Sequence, residues 1–295
     1  MMQIRRFTTC QDFLNELTHS SDFYEQTQYE LAIARRYQNE AVFHLDGYCK
    51  VCEKPTLFQV DHISSSGANE EGIIIPNWRE RLVCECELNN RQRAILHQVK
   101  CAVQHISPAM ANKPFIYAME QVTPLYQMLA RLFPNAQCIG SEFIDEKYPS
   151  GTVVNGIRHE NAEALSFAND QLNIVISNDV LEHVNDPQQA LAEIFRVLAP
   201  GGELFLTIPF HITTEETVRR AEYKAGQLTH YLPAQYHGNP MSSEGSLVFH
   251  DFGWDFLKQM QAIGFESAAL CLYWSRFYGY LGAPLSYFYA RKPYG

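Results

Sequence analysis

Long apolar runs are missing from this chain. None approaches the roughly 20 consecutive residues needed to cross a bilayer, and the opening MMQIRRFTTCQDFLNEL lacks the apolar core of a secretion signal. A cytoplasmic protein without a membrane span is the expectation. Basic residues are also in short supply: 23 Lys and Arg face 33 Asp and Glu, for a formal net charge of -10. That balance argues against a broad electrostatic footprint for nucleic acid or anionic lipid. Internal repeats and low-complexity stretches are absent, and apolar residues make up 46% of the 295, so composition gives no case for disorder. The length suits one large domain, or a catalytic domain with a smaller module at one end. Cysteine is not scarce. Of eight, four form close pairs, Cys49 with Cys52 and Cys84 with Cys86, while Cys10, Cys101, Cys138 and Cys271 stand alone. In a reducing compartment paired cysteines suggest a metal before a disulfide framework.

Residues 8 to 43 place apolar and aromatic side chains at helical spacing, which predicts two amphipathic helices within an N-terminal segment 1–46. A Cys-rich accessory module is expected over 47–106, with TLFQV and GIIIP as short strands and NNRQRAILHQVKCAVQHI as a connecting helix. Ser107 to Pro114, with two prolines, reads as a linker. From 115 to 295 apolar runs alternate with amphipathic stretches: FIYAM, PLYQMLARLF, QCIGSEF, NIVIS, DPQQALAEIFRVL, ELFLTI. Buried β-runs separated by helices of this length predict a parallel sheet, hence a doubly wound α/β architecture.

The most specific passage is NIVISNDVLEHVNDPQQALAEIFRVLAPGGELFLTIP, from Asn173 to Pro209. It parses as a buried strand ending in Ser177, Asn178 and Asp179, a helix opening near Asp186 and Pro187, a Pro200-Gly201-Gly202 turn and a second buried strand. This passage resembles the class I S-adenosylmethionine-dependent methyltransferases, and the resemblance extends over roughly Phe115 to Lys292. It implies a Rossmann-like sheet and a cofactor laid across the carboxyl ends of its first strands. Glu142, in QCIGSEF, matches the acidic residue that takes both ribose hydroxyls; a carboxylate suits that task because it offers only acceptors. Asn161, in HENAEALSF, stands where the family has an acidic residue near the adenine. Asp179 lies where cofactor and acceptor meet, or else caps a helix beginning at Val180. One departure matters: Glu120 matches the acidic position after the first strand, yet Glu120-Gln121-Val122-Thr123-Pro124 contains no glycine. Either the backbone keeps farther from the methionine moiety, with Thr123 supplying a hydroxyl contact, or the pocket no longer binds cofactor.

Methyl transfer needs alignment, a dry site and, for a hydroxyl nucleophile, a base. His237 is the leading candidate, with His183 of LEHV and Asp179 as competitors. An insertion at 211–252 carries His211, His230, Tyr236, His237, His250 and Asp251, a composition that suits a substrate lid above the cofactor end. A lone histidine is more often structural, so each has that bland alternative. Arg219, Arg220 and Lys224 read as one face of a short solvated helix. The mixture of aromatic, histidine and carboxamide groups points to a small-molecule or glycan hydroxyl, with a general likeness to methyltransferases of bacterial polysaccharide pathways. C-methylation of a nucleotide sugar and a non-catalytic binding protein are the alternatives.

Cys49-Lys50-Val51-Cys52 is a good metal knuckle, and Cys84 and Cys86 can complete a zinc site of four thiolates in a zinc-ribbon-like module. The single-residue spacer of the second pair is unusual, and His44 or His62 can stand in for a cysteine. The bland reading is a set of buried, reduced thiols.

Overall fold

A computed structural model describes residues 3–65, 67–106 and 113–294. They form two compact units. One comprises the described residues of Met1–Phe7, Gln11–Cys101 and Cys271–Ser286, the other those of Thr8–Cys10, Ala102–Leu270 and Tyr287–Gly295. Residues 107–112 of the expected linker lie outside the described residues. Among the described residues no helix is long and apolar enough to cross a membrane.

The first unit opens with β1 (Gln3–Phe7), followed by the helices anticipated from the spacing, α1 (Cys10–His19) and α2 (Ser21–Arg36). The Ser20 hydroxyl accepts the Phe23 amide at 3.4 Å and so satisfies one donor left open at the start of α2. β2 (Val42–Cys49) and β3 (Lys54–Asp61) pair antiparallel, from Val42 opposite Asp61 to Cys49 opposite Lys54. Strand alternation turns Phe43, Phe58 and Val60 inward. After α3 (Trp78–Arg81), β4 (Leu82–Val83) joins β3, and α4 (Asn90–His105) takes up the expected helical stretch. GIIIP, by contrast, is not a strand: Ile74 makes only an isolated bridge to Ala68. The Asn69 side-chain oxygen takes the amides of Glu71 at 3.0 Å and Ile73 at 2.9 Å, so donors that a ladder would use are held in a local turn.

The second unit is the expected doubly wound sheet. Its strands are β5 (Phe115–Ala118), β6 (Gln137–Gly140), β9 (Leu172–Asn178), β10 (Leu198–Thr207), the part of β17 (Glu266–Trp274) up to Leu270 and the part of β18 (Ser286–Arg291) from Tyr287, while β7 (Val153–Val154) and β8 (Ile157–Arg158) form a separate hairpin. Within this unit the order is β17-β18-β10-β9-β5-β6, with β6, β5, β9 and β10 parallel and β18 antiparallel to β10. The chain therefore winds from β5 to β6 on one side, then to β9 and β10 on the other. β9 and β10 are buried through Ile174, Val175, Ile176, Leu204, Phe205 and Leu206, which is why they read as continuous apolar runs. α5 (Pro124–Leu132) and α6 (Pro187–Val197) fall where the sequence predicts helices, and α7 (Asp255–Ile263) follows the insertion. The Asp186 carboxylate caps α6 by accepting the Gln189 amide at 3.1 Å, with Pro187 in the first turn.

The insertion after β10 is built of hairpins. β11 (Val218–Arg219) pairs with β16 (His250–Asp251), β12 (Ala221–Lys224) with β13 (Gln227–His230), and β14 (Tyr236–Asn239) with β15 (Ser242–Leu247). Arg219, Arg220 and Lys224 are thus not on a helix. Ala225 and Gly226 both take positive φ, 51° and 80°, the two-residue turn geometry that joins twisted strands and has no place inside a helix.

Candidate functional site

Because β5, β6, β9 and β10 are parallel, their carboxyl ends share one edge, with the change of winding direction at β5. Ligands of open α/β sheets bind outside such an edge. Glu120, just beyond β5, is buried; its Oε1 accepts from Asn178 Nδ2 at 2.6 Å and its Oε2 from the Thr123 hydroxyl. That hydroxyl is directed to Glu120 and does not cap α5. Glu142, beyond β6, accepts the amides of Gln121 at 2.7 Å and Val122 at 3.0 Å, both through Oε1. Among the described residues its Oε2 has no hydrogen-bond partner. The loop from Glu120 to Thr123 has no residue with positive φ. The close approach is made by Gly140 instead, where a Cβ would stand 2.8 Å from the Glu120 carbonyl oxygen and 2.7 Å from the Tyr126 ring. Gln121 ties this loop to the β7–β8 hairpin, accepting from the Arg158 amide at 2.8 Å and donating to the Gly156 carbonyl at 2.9 Å.

Asn161 sits on the following loop. Its side-chain oxygen accepts the Glu163 amide at 2.9 Å, and its own amide donates to Ser150 Oγ at 2.9 Å. Asp179 follows β9 with φ at 52°, and its carboxylate accepts from Thr207 Oγ1 at 3.0 Å. The helix-cap alternative does not apply to it: the short turn Leu181–His183 begins after Val180 and has no side-chain cap.

His183 and His237 come together over Glu182. His237 Nδ1 lies 3.6 Å and His183 Nε2 3.7 Å from Glu182 Oε1, and the two rings meet edge to face with centroids 5.2 Å apart. Glu182 is fully buried, and neither carboxylate oxygen has a hydrogen-bond partner. The Glu182 carboxylate raises the pKa of His237 against the opposing effect of burial, with Asp179 and Asp251 adding to it. His183 Nδ1 contacts the Leu247 carbonyl at 2.7 Å. The other lid groups are dispersed. His211 lies 4.0 Å from Asp251, itself paired with Arg220 at 2.5 Å. His230 and Tyr236 are exposed, whereas His250 is buried against Phe252, and burial pushes its pKa down to about 4. Sequence reasoning passed over Glu182 and Gln121. The signal for Glu182 was an acidic residue set into the otherwise apolar VLEHV.

In the first unit the four paired cysteines converge, their sulfurs all within 4.8 Å of one another, and all are free thiols. Cys49 ends β2, Cys52 lies in the turn before β3, and Cys52 and Cys84 sulfurs are 3.8 Å apart. The Cys84 amide donates to the Leu88 carbonyl at 3.0 Å, and Glu87 takes a φ of 67°, so the chain doubles back within a short reach and returns Cys86 to the cluster. Burial, then the neighbouring Cys49, pushes the Cys52 thiol up to about 12. His44 is exposed on β2 and, like His62, is not part of the converging set.

Comparison with known proteins adds to this geometry. A family model described as a methyltransferase domain matches residues 126–206. A protein of Mycobacterium avium (strain 104) described as an uncharacterized methyltransferase is 35% identical over 124 residues, covering 38% of this chain and 46% of that one. A ubiquinone biosynthesis O-methyltransferase of Ruegeria pomeroyi is 34% identical over 86 residues, covering 26% and 34%. The chain spans less than half the length of the curated relatives it matches. Among solved structures, an S-adenosylmethionine-dependent methyltransferase of Methanosarcina mazei is 16% identical, covers 64% of this chain and 99% of its own, and gives a TM-score of 0.39.

Proposed function

We propose that the chain, which matches a methyltransferase-domain family over residues 126–206, is a class I S-adenosylmethionine-dependent methyltransferase that transfers the cofactor's methyl group to an oxygen of a small-molecule or sugar hydroxyl. The observation that carries this reading is Glu142. It stands at the carboxyl end of β6 with Oε1 engaged by two loop amides and Oε2 open. That oxygen is free to accept ribose hydroxyls, while Glu120 and Thr123 face the methionine end, Asn161 the adenine, and Asp179 the meeting point with the acceptor.

On the acceptor side this reading uses the β14–β15 hairpin, with Tyr236 and His237 at its centre and His211, His230 and His250 in the surrounding segment. His237, His183 and Asp179 are the groups that activate the hydroxyl. Transfer converts R–OH and the sulfonium into R–O–CH3, S-adenosylhomocysteine and a released proton, so the protein's work is alignment, water exclusion and proton removal. The name of the Ruegeria relative supports an oxygen acceptor. A net charge of -10 supports a small acceptor over nucleic acid. The four thiols are read as structural zinc ligands of an accessory module: a tetrahedral site with Zn–S bonds of about 2.3 Å sets sulfurs about 3.8 Å apart, as between Cys52 and Cys84. The Cys-rich module also favours a second reading, C-methylation of a nucleotide sugar.

Calorimetric titration with S-adenosylhomocysteine tests the cofactor assignment. Incubation with S-adenosylmethionine and a panel of hydroxyl acceptors, read by mass, then tests transfer. Absence of cofactor binding by folded protein overturns the proposal. Binding without transfer to any class of acceptor favours the non-catalytic alternative that the glycine-free loop suggests.

A further inference from the structure

The orphaned carboxylate of Glu182 is the least comfortable group in the second unit. It is fully buried, both oxygens lack a donor, and two imidazole nitrogens flank the same oxygen at 3.6 and 3.7 Å. Those separations exceed the roughly 2.7 to 2.9 Å of a charge-assisted hydrogen bond. They fit ligands that share one ion, since bonds of about 2.1 Å at a tetrahedral angle hold donor atoms about 3.4 Å apart. His183 supplies a further sign. Its Nδ1 sits 2.7 Å from the Leu247 carbonyl, where only an N–H is accommodated, so a neutral ring keeps its lone pair on Nε2, toward Glu182. A metal-bound histidine is ordinarily fixed through its other nitrogen in this way. At His237 the neighbour of Nε2 is the Gln235 amide nitrogen at 3.3 Å, which can only donate, so binding an ion through Nδ1 requires that carboxamide to turn its oxygen toward Nε2.

The geometry points to a divalent metal site formed by Glu182 Oε1, His183 Nε2 and His237 Nδ1, whose mutual separations are all within 4.8 Å. Two imidazoles and a carboxylate suit a first-row ion such as Mn²⁺, Fe²⁺ or Zn²⁺ more than Ca²⁺ or Mg²⁺, which prefer all-oxygen sets. Three protein ligands leave coordination positions open, the mark of a site that takes a substrate. The site deepens the methyl-transfer reading and, for its chemical role, rests on it. The acceptor's hydroxyl oxygen binds the ion, loses its proton to solvent or Asp179, and attacks the sulfonium methyl. An O–C bond forms, the C–S bond breaks with its electrons going to sulfur, and the ion does not change oxidation state. His237 is then a ligand carried by the lid, so closing the β14–β15 hairpin and completing the site are one event.

Mn²⁺ titration followed by the electron paramagnetic resonance of the free ion tests binding without activity, and Mn²⁺ has little affinity for the thiol cluster. Chelator-treated full-length protein should show one Mn²⁺ site. Affinity should fall by on the order of a hundredfold or more in His237→Ala, which lies on a partly exposed strand and spares the core, and also in Glu182→Gln if that variant folds. Titration with S-adenosylhomocysteine runs in parallel as an independent readout. Cofactor binding without a Mn²⁺ site, or a site indifferent to His237→Ala, overturns the metal proposal alone. A Mn²⁺ site lost in His237→Ala, in protein that binds no cofactor, upholds the metal and overturns the methyl-transfer reading.

Discussion

Glu142 holds the Gln121 amide at 2.7 Å, and this contact does the work that a glycine-rich turn does by conformational freedom. The loop after β5 is fixed by a carboxylate from the neighbouring strand, and the tight backbone approach moves to Gly140. One residue thereby serves both the loop and the expected cofactor position, and its two oxygens divide those roles.

Glu142→Ala should weaken S-adenosylhomocysteine binding by about 1.5 to 3 kcal/mol, combining the lost ribose contact with a loosened loop. Glu142→Gln separates the two. Its carbonyl oxygen can still accept the Gln121 and Val122 amides, but its NH2 group cannot accept from ribose. Calorimetry should place Gln close to Ala if the ribose contact dominates; affinity equal to that of the unaltered protein would remove Glu142 from the cofactor site.

His237→Ala should lower methyl transfer by on the order of a hundredfold with cofactor affinity nearly intact, since the Glu142 carboxylate is held by the Gln121 and Val122 amides and not by the hairpin. Single-turnover rates with an identified acceptor are the measurement. A fully active His237→Ala protein alongside an inactive Asp179→Ala protein would remove His237 from activation of the hydroxyl, whether as base or as metal ligand, and leave that role at the end of β9.

Glu30 makes stability depend on pH. Its carboxylate, in the first unit, accepts from Trp274 Nε1 at 2.7 Å and from the Gly282 amide at 2.6 Å, yet burial outweighs these donors and pushes its pKa from 4.5 up to about 7. The folded chain therefore binds this proton more tightly than the unfolded one. Stability from Glu30 is fully present below about pH 4.5 and is lost as pH rises through about 7, by at most about 3 kcal/mol. Urea unfolding of the unaltered protein and Glu30→Gln should converge at low pH and separate toward pH 8; parallel curves would exclude the effect.

The sheet was readable because its determinants are local. β9 and β10 are apolar throughout, and the Asp186-Pro187 start of α6 is a capping signal confined to a few residues. The acceptor-side cluster was only half readable: the VLEHV motif displays Glu182 and His183 in sequence, but His237 reaches them only because a hairpin from the insertion folds back, a long-range contact that no periodicity encodes. The GIIIP stretch was misread for a related reason. Its apolar run satisfies a strand pattern, but Asn69 captures the amides. Likewise the Cys84-Glu85-Cys86 spacing looks too short until the left-handed Glu87 is seen to turn the chain back.

That turn leads to the last prediction, a thiolate zinc site in the first unit. Four sulfurs within 4.8 Å, with the Cys52 thiol pushed up to about 12, resist ionising together unless a cation supplies the countercharge; a tetrahedral ion does so and crosslinks the β2–β3 turn to the segment after β4. Substitution with Co²⁺ distinguishes this site from any imidazole and carboxylate site, because only thiolate ligation gives intense ligand-to-metal charge-transfer bands in the near ultraviolet. The bands should titrate to one ion per chain and weaken in Cys86→Ser. Removal of the ion by a chelator should lower the unfolding temperature, because the loop it closes loses its crosslink. Well-folded protein that binds Co²⁺ without thiolate bands would leave the four cysteines as a buried, reduced cluster.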